Sequence, residues 1–550
     1  MSRVLWLLPL ALVTALGWPA SAGEYEPGDS VWIRFGNPDQ SHGLYLLEWD
    51  DESPLVIRGG RYGRVSRRDT LHFRVDPRFL HEPMPIRVIV DYWDESTDWF
   101  MLRYGSSDTY GDRRGEQKHT PVHRRTDTGT WKQVVFRLPD ARFSGNAWNR
   151  DFSVCQDYWT GGERHELIVS RVEVIKGGVA LSASPEVISA DRHTTATIEA
   201  RVYDRTGTFV PDGTRVEFTC TRGTVEPHVT TTVGGCAIAA FTGDIEPGSA
   251  DVTATALDDS ATVVVPMLEG KGPIHEVTYV LDDFSHPERW STRDTDDWEG
   301  KLSLDELIAW RGRPVAKWEY RYKRSAFLAI PLAKSIPTPG RLKRLSIWVN
   351  HDGSGNGIDV FFHDAAGAAF HWELGGLWGR GWRWHWQDLG QPWERPEDTD
   401  FRITWPITFD RIAFAHWKDT PDVGEVGVVY FQDLTAICLV PESSLVWPEL
   451  RLAIGTVEKP GHPVPCDIRV HNLSDRPHSG LRLEVAMLDR GGRTVATRPT
   501  AFALEPGEVT TFDHVLRPRR HGQSTIEVRV RGEGVDSVAR APLVVGMAEP

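Results

Sequence analysis

Short runs in which apolar and polar residues alternate recur along almost the whole chain, and Gly, Pro, Asp and Asn separate them. Clear examples are residues 86–92, 131–138 and 525–530. Alternation with a period of two predicts strands that bury one face and leave the other outside. Only residues 302–310 have a spacing that favours a short helix. Because strands do not alternate with helices, Rossmann folds and TIM barrels are excluded, and the pattern predicts an all-β chain of β-sandwiches in series.

Changes in composition divide the 550 residues into four predicted domains. The first, residues 24–177, is dense in Trp, Tyr and Arg, whereas the second, residues 178–269, has no Trp. Residues 270–273, Gly-Lys-Gly-Pro, are typical of a linker. The third domain, residues 274–441, holds 13 of the 23 Trp, and the fourth, residues 442–550, holds one. Such a concentration of indoles predicts either a sandwich core or a stacking surface in the third domain.

The chain starts with the features of a signal peptide. Arg3 precedes an apolar run, and Ala20-Ser21-Ala22 gives the small-residue pattern of a cleavage site, so residues 1–22 are predicted to be removed. No later run reaches the roughly 18 apolar residues of a membrane span. The net charge of −15 argues against non-specific binding to nucleic acid, which needs a basic surface. We therefore expect a protein exported to the periplasm or the extracellular space, with no nucleic-acid partner and no membrane span after cleavage.

The five cysteines fit an exported protein but do not form a dense disulfide framework. Cys220 and Cys236 lie 16 residues apart within the second domain, and we predict that they form a disulfide between neighbouring strands. The sequence has no Cys-x-x-Cys motif and no Cys/His spacing typical of structural zinc.

Two of the domains resemble Ig-like families. The second contains residues 198–204, then Val-Pro-Asp-Gly at 210–213 and a closing strand at 247–254, and it resembles the bacterial Ig-like domain of invasins and intimins. The fourth, with residues 470–476 and 504–508, is similar to the Ig-like sandwich that accompanies glycosidase modules. The first resemblance implies a rigid spacer. In proteins similar to the fourth domain, a catalytic barrel often follows the Ig-like sandwich. That resemblance therefore leaves open that a separate catalytic chain is a partner of this protein.

The first and third domains resemble the galactose-binding-like β-sandwich, a jelly-roll module attached to many polysaccharide-active proteins. In the first domain the resemblance rests on residues 72–76, 86–94 and 129–138, and in the third on residues 281–284 and 429–434. It implies the sandwich fold and binding of a carbohydrate, although that fold hosts many ligands.

The same resemblance implies a structural calcium ion in the third domain. Its ligands would be Asp282 and Asp283, near the start of the domain, and Asp433, near its end, because carboxylates suit a hard cation. Gln432 stands where a second acid is common, and turn capping is the alternative role of these acids.

The tryptophans offer two kinds of candidate in the third domain. On a strand, Trp382, Trp384 and Trp386 share one face, and three indoles on one face favour a sandwich core, with a sugar-stacking platform as the alternative. Better platform candidates stand in or near glycine-rich loop sequence: Trp372, Trp378 and Trp393.

In the first domain, Asp91 and Trp93 are expected on the face opposite Val90, with Arg103 on the next strand. A carboxylate, a guanidinium and an indole together suit sugar hydroxyls and a ring face, and an ordinary ion pair beside an aromatic residue is the alternative. Trp148 and Trp159 lie in less regular sequence and are further candidates for carbohydrate binding.

Catalytic motifs of the common hydrolase and nucleotide-binding classes are absent, since the sequence has no G-x-S-x-G, no Walker A motif and no H-E-x-x-H. We therefore predict an exported, non-catalytic, multi-domain protein that binds polysaccharide and uses its Ig-like domains as spacers. A sandwich-fold polysaccharide lyase or glycoside hydrolase is one alternative, and a cell-surface adhesin with a protein partner is another.

Overall fold

The computed structural model describes residues 28–47, 53–66, 70–107, 118–145, 150–156, 166–290, 293–294, 298–323, 327–389, 403–415, 426–452, 455–489, 494–496 and 499–546. Regular structure within these ranges is strand apart from two single 3-10 turns, Pro287–Arg289 and Glu442–Ser444. The strands form eight sheets, which pack in pairs around four hydrophobic cores. The predicted all-β sandwich architecture is confirmed. The predicted signal peptide lies outside these ranges.

The described residues contain no helix of the length and apolarity that crossing a membrane would require.

The first sandwich packs two sheets around a core to which β7 contributes most visibly. Val88, Val90 and Tyr92 are buried between the sheets, whereas Asp91 and Trp93 lie on the outer face, as the alternation predicts. One sheet has the order β11-β7-β13-β1-β2, with β5 paired to β13 and to β4, and the other has the order β10-β8-β12-β6-β3, with β9 paired to β8. The strands are β1 (Ser30–Arg34), β2 (Gln40–His42), β3 (Leu44–Leu47), β4 (Leu55–Arg58), β5 (Arg61–Val65), β6 (Thr70–Val75), β7 (Met84–Asp94), β8 (Trp99–Tyr104), β9 (Lys118–His119), β10 (His123–Arg124), β11 (Thr130–Ala141), β12 (Phe152–Cys155) and β13 (Ile168–Lys176).

The second sandwich is built from small and β-branched residues. In β16, Ala196, Ile198, Ala200 and Val202 point into the core, and the residues between them are more exposed. The sheet orders are β14-β16-β20-β18 and β15-β22-β21-β17-β19. The strands are β14 (Gly178–Ser184), β15 (Ile188–Ser189), β16 (Thr195–Tyr203), β17 (Arg215–Cys220), β18 (Thr224–Glu226), β19 (Val229–Thr231), β20 (Cys236–Thr242), β21 (Gly248–Ala256) and β22 (Asp259–Leu268).

The third sandwich has the largest core, which includes Trp290, Trp298, Trp318 and Trp372. One sheet has the order β24-β25-β26-β33-β28-β31, with β23 paired to β33, and the other has the order β27-β32-β29-β30. The strands are β23 (Ile274–Asp282), β24 (Arg293–Asp294), β25 (Trp298–Trp310), β26 (Arg313–Tyr322), β27 (Phe327–Pro337), β28 (Arg341–His351), β29 (Gly357–His363), β30 (Ala369–Gly376), β31 (Gly381–Asp388), β32 (Thr408–Ala415) and β33 (Val426–Pro441).

The fourth sandwich buries aliphatic side chains such as Ile468, Val485 and Val528 between its two sheets. One sheet has the order β34-β36-β40, and the other has the order β35-β42-β41-β37-β38, with β39 paired to β37. The strands are β34 (Val446–Leu452), β35 (Thr456–Val457), β36 (Val464–Asn472), β37 (His478–Asp489), β38 (Thr494–Ala496), β39 (Thr500–Leu504), β40 (Val509–Leu516), β41 (Gly522–Gly532) and β42 (Val535–Val545).

The short helix predicted at residues 302–310 is wrong, because this segment belongs to β25. Its pairing with β26 is irregular between Asp305 and Ala309, so the residues between them bulge out of the strand. The Asp305 carboxylate holds the bulge by accepting the backbone N–H groups of Leu307 and Ile308 at 3.0 and 3.1 Å. The bulge interrupts the alternation of this strand and gives the segment its helix-like spacing.

The disulfide predicted between Cys220 and Cys236 is also wrong, since both residues carry free thiols. Cys220 ends β17 in one sheet, next to Gly223, and Cys236 begins β20 in the other sheet. The strand after Gly223 pairs Thr224 with Thr242, at the opposite end of β20 from Cys236. Six residues of strand span about 20 Å, whereas a disulfide needs Cα atoms within about 7 Å.

We therefore expect all five cysteines to be reduced in the folded protein. Alkylation of the denatured, non-reduced chain, followed by mass spectrometry, should show five labelled cysteines. If two cysteines, Cys220 and Cys236, could be labelled only after reduction, they would form a disulfide, and their separation in the fold would be contradicted.

The third and fourth sandwiches share a buried ionic cluster. Glu449 on β34 accepts a hydrogen bond from the Tyr279 hydroxyl on β23 at 3.2 Å and one from Nε2 of His471 at 2.7 Å, and its other oxygen pairs with Arg451. The Trp447 ring packs edge-on against Tyr279, with centroids 5.4 Å apart. Burial works to raise the pKa of Glu449, but His471 and Arg451 outweigh it and lower that pKa below its usual value. The cluster thus keeps a charged carboxylate at the seam.

Removing this carboxylate should destabilise the joint. Glu449→Ala leaves the buried Arg451 guanidinium and the Tyr279 hydroxyl without their acceptor, which should cost about 3–5 kcal/mol of unfolding free energy. Glu484→Ala is the control, because Glu484 pairs with Arg531 across 3.6 Å at the surface and should matter by less than about 1 kcal/mol. Calorimetric unfolding of the full chain measures both, and equal effects would contradict the role of the cluster.

The predicted linker at residues 270–273 is bonded to its neighbours on both sides. The Gly272 N–H donates to Asp191 of the second sandwich at 3.0 Å. The Lys271 N–H donates to the Ser443 hydroxyl at 2.8 Å, and Ser443 follows the last strand of the third sandwich. Next to it, Glu269 pairs with Arg540 of the fourth sandwich at 2.7 Å. These contacts fix the segment between three sandwiches.

Candidate functional site

Three tryptophans of β31 lie on the outer face of the third sandwich. The expectation that Trp382, Trp384 and Trp386 form the core is wrong. Gln387, whose side chain points to the opposite face of β31, is buried, whereas Trp384 is 48% exposed and the two flanking indoles are half-buried. The core beneath them is filled by residues of the neighbouring β28, among them Ile347 and Val349. The indoles therefore cover the sheet from outside.

Two further tryptophans extend this group. Trp348 on β28 pairs directly with Trp384, and their rings stack with centroids 6.4 Å apart. Trp310, at the end of β25, stacks on Trp382 at 4.7 Å and lies 5.6 Å from Trp348. Trp384 and Trp386 are 6.0 Å apart. We call the five side chains the tryptophan surface: Trp310, Trp348, Trp382, Trp384 and Trp386.

Charged side chains frame the tryptophan surface. The Arg344 guanidinium lies 4.6 Å from the Trp386 ring centroid and makes two hydrogen bonds to Asp388, at 2.6 and 2.9 Å. The Arg311 guanidinium lies 4.5 Å from the Trp348 ring centroid. Both contacts are cation–π interactions, which hold the indoles in place at the edges of the group.

Polar side chains stand between the rings. Ser346 and Asn350 share the outer face of β28 with Trp348, and they pair with Trp386 and Trp382. The five indoles contact one another, lie partly open to solvent and have hydrogen-bonding groups beside them. Such a group of aromatic rings is unusual on the surface of a monomer and is typical of a binding site. Its chemistry suits a ligand with both apolar faces and hydroxyl groups.

The sequence contained the signal for part of this surface. Trp348 alternates with Ile347 and Val349, which predicts that it lies on the outer face once those two are placed in the core. No sequence pattern predicts that Trp310 belongs to this surface, because it is brought there by the hairpin between β25 and β26.

The other predicted platform residues of this domain behave differently. Trp372 is 1% exposed and packs in the core against Phe362 and Phe370, so the prediction of a platform there is wrong. Trp378 is 62% exposed and packs closely over the backbone of Gly355 and Gly376, where a Cβ atom would come within 2.7 and 2.3 Å of its ring. Trp393 lies outside the described residues.

The predicted grouping of Asp91, Trp93 and Arg103 is wrong. Asp91 and Trp93 lie on the outer face of the sheet that contains β7, whereas Arg103 lies on β8 in the other sheet of the first sandwich. Asp91 instead accepts hydrogen bonds from Arg61 at 3.2 Å and from Gln133 at 2.8 Å. The sandwich core separates Asp91 from Arg103, so the two cannot act on one ligand.

Trp93 belongs to a covered cluster. It packs edge-on against Trp131 at 5.5 Å, and its N–H donates to Glu95 at 2.9 Å. The β4–β5 hairpin lies over both rings, with Gly59 so close to Trp93 that a Cβ atom would come within 2.8 Å. This matches the alternative of an ion pair beside a half-buried aromatic residue. Trp148 and Trp159 lie outside the described residues.

The carboxylates predicted to bind calcium do not converge. β23 and β33 do pair, with Asp282 opposite Leu434. However, Asp283 accepts the Ser285 hydroxyl at 2.7 Å, a capping role, and Asp433 pairs with Arg313. Across the described ranges no three His, Cys, Asp or Glu side chains are grouped so as to hold a metal ion. Binding of a calcium ion itself stays a prediction.

A polar row that the sequence did not reveal crosses the second sheet of the first sandwich. Ser153 on β12 pairs with His72 on β6 and with Arg103 on β8, and Arg103 pairs in turn with His119 on β9. The Ser153 hydroxyl lies 2.8 Å from Nδ1 of His72, to which Arg150 donates at 3.0 Å. Burial, followed by the charges of Arg150 and Arg103, lowers the pKa of His72 to about 4, and burial next to Arg103 lowers the pKa of His119 to about 3.

These imidazoles should make stability depend on pH. The pKa of His72 is lower in the folded chain than its usual 6.5, so between pH 6.5 and 4 the unfolded chain binds a proton that the folded chain does not. Part of the free energy of unfolding is therefore lost as the pH falls from 6.5 towards 4. At pH 5 the loss should be about 2 kcal/mol. Calorimetry at pH 7.5 and pH 5 should show a smaller drop in melting temperature for His72→Gln than for the wild type. His228→Gln, at an exposed site, should behave as the wild type does.

Comparisons with known proteins give low similarity. No protein-family model matches the chain, and no curated protein matches it. A solved carbohydrate-binding module of the β-sandwich superfamily aligns with 48% of this chain and 98% of its own, with 13% identity and a TM-score of 0.21. The D0-D1 domain of intimin aligns with 36% of this chain and 86% of its own, with 14% identity and a TM-score of 0.16. The glycoside hydrolase domain of Endo-D from Streptococcus pneumoniae R6 aligns with 46% and 37%, with 13% identity and a TM-score of 0.19.

These TM-scores are too low to assign a function, which has to be argued from the residues of the chain itself.

Proposed function

We propose that the protein binds polysaccharide through the tryptophan surface of its third sandwich and does not cleave it. The observation that carries this proposal is the continuous stacking of five indoles on an outer sheet face, from Trp310 to Trp386. The rigid, flat rings suit the C–H faces of pyranose rings, which pack on indoles, and they lose little conformational entropy on binding.

The arrangement of the rings supports an extended ligand. Trp382, Trp384 and Trp386 alternate along one strand, so neighbouring indoles are about 7 Å apart along the strand and the three span about 14 Å. That length accommodates several linked sugar rings. Ser346 and Asn350, between the indoles, supply groups that hydrogen-bond with sugar hydroxyls.

The acids beside the tryptophan surface support a non-catalytic role. Asp388 is engaged twice by Arg344, and Asp433 is paired with Arg313. Glycoside hydrolysis uses two carboxylates that face one bond, one of them kept protonated. Because arginine side chains already occupy both carboxylates, their placement suits a structural role better than attack on a glycosidic bond.

The remaining sandwiches would position this binding surface. Export, a spacer role for the Ig-like second and fourth domains, and a separate catalytic chain that benefits from the bound polymer are parts of the same proposal. The fixed segment at residues 270–273 supports a spacer that holds its neighbours in one orientation. A carbohydrate site in the first domain is not part of the proposal, because Asp91 and Arg103 lie on different sheets.

A pull-down on a panel of insoluble and immobilised polysaccharides tests the proposal. The wild type should be retained on at least one polymer, and Trp384→Ala should weaken binding about 5- to 150-fold, since one stacked ring contributes on the order of 1–3 kcal/mol. The control is Trp378→Ala, which removes an exposed indole of the same sandwich outside the tryptophan surface.

The same tubes separate the alternatives. Sugar released into solution would show an enzyme and overturn the non-catalytic role. Equal loss with Trp378→Ala and Trp384→Ala would mean that the site is wrongly placed. A separate assay measures retention of the protein on cells before and after their glycans are removed. If the protein binds no polymer but still binds cells without glycans, the partner is a protein, because Trp and Arg also dominate protein interfaces.

A further inference from the structure

The three arginines around the tryptophan surface differ in their partners. Arg344 is neutralised by Asp388 through two hydrogen bonds, and Arg313 is paired with Asp433. Arg311 is exposed, and within the part of the chain that the structure describes its guanidinium makes neither an ion pair nor a hydrogen bond. The guanidinium contacts the Trp348 ring, with its carbon 4.5 Å from the ring centroid. One full positive charge therefore stands uncompensated at the edge of the indoles.

The backbone fixes the position of Arg311. It forms the tip of the β25–β26 hairpin with Gly312, and both have left-handed backbone conformations, with φ of 52° and 77°. Gln432, which is 1% exposed, donates from its side-chain amide to the carbonyl of Trp310 at 3.0 Å and to that of Pro314 at 3.5 Å. A buried amide thus clamps both sides of the turn, so the tip is held beside the tryptophan surface.

The geometry leaves the donor groups of Arg311 available. The guanidinium carbon of Arg311 lies over the Trp348 ring, and the N–H donors, which lie in the guanidinium plane, make no hydrogen bond within the described residues. A planar set of N–H donors matches carboxylate and sulfate oxygens, often through two parallel hydrogen bonds. An indole and an oriented guanidinium side by side fit a sugar ring that carries an acidic substituent.

The rest of the chain gives no general attraction for such a ligand. The net charge of −15 repels a polyanion at long range, so selectivity for an acidic polymer has to come from a local group. Arg311 is placed to be that group.

We propose that the tryptophan surface recognises an acidic polysaccharide, whose sugars carry carboxylate or sulfate groups, and that Arg311 is the residue that selects for the anionic group. This inference rests on the proposed carbohydrate binding at the same surface. Trp384 and its neighbours bind the ring faces of any suitable polymer, and Arg311 adds the preference for the charged one.

Polymer pairs that differ only in charge provide the test. Binding of the full chain to polygalacturonate and to its methyl-esterified form covers carboxylates, and dextran sulfate against dextran covers sulfates. The wild type should bind the charged member of one pair at least about tenfold more tightly, as expected for a charge-assisted hydrogen bond. Arg311→Gln should reduce that ratio to near one; loss of its contact with Trp348 affects both members of a pair alike, so the ratio isolates the effect of the charge.

Two further variants identify the reason for a change. Arg411→Gln removes an arginine that also stacks on an aromatic ring, Phe361 at 4.3 Å, but lies on the other sheet, so its preference should equal that of the wild type. Trp384→Ala should weaken binding to both members of a pair equally. A wild type that binds both members equally, or an Arg311→Gln variant that keeps the preference, would overturn the inference while the proposed function stands. Failure of the wild type to bind any of the four polymers would overturn the inference, and it would overturn the proposed function as well only if the wild type were also retained on no polymer of the panel.

Discussion

The register between β28 and β31 is the constraint on which the candidate site depends. It places Trp348 opposite Trp384 and sets Ser346 and Asn350 beside the flanking indoles. Because side chains alternate between the two faces of a strand, a shift of one residue would bury the three tryptophans of β31 and expose His385 and Gln387. The core already filled by Ile347 and Val349 holds this register, so packing inside the sandwich decides what is displayed outside.

Polar contacts between the sandwiches give that display a fixed frame. The Glu449 cluster joins the third and fourth sandwiches through a charged carboxylate that is almost fully buried. Hydrogen bonds at Lys271 and Gly272 tie the connecting segment to the second sandwich and to the end of the third. At the first joint, Arg137 donates to Asp259 of the second sandwich at 2.8 Å. Such directional contacts set the orientation of one sandwich against the next, whereas apolar contact alone would permit sliding.

Much of the candidate site was beyond sequence reasoning for a physical reason. Alternation shows that Trp382, Trp384 and Trp386 share a face, but a sandwich has two sheets and four faces, and the choice among them depends on partners distant in the chain. The same limit separated Asp91 from Arg103, which follow one another on β7 and β8 but belong to different sheets. The sequence spacing of Cys220 and Cys236 likewise carried no information on their positions at opposite ends of the second sandwich.

The sequence by itself determined the all-β class, the strand-by-strand alternation and the concentration of indoles in the third domain, because these follow from local periodicity and composition. It also determined that Asp91 and Trp93 lie opposite Val90, since one strand settles that relation. Only the tertiary structure decided that Trp372 is core, that five tryptophans from three strands form one outer surface, and that Arg311 lies beside it with no ion pair to any described residue. Those outcomes depend on strand pairing between segments tens of residues apart, which local sequence patterns do not specify.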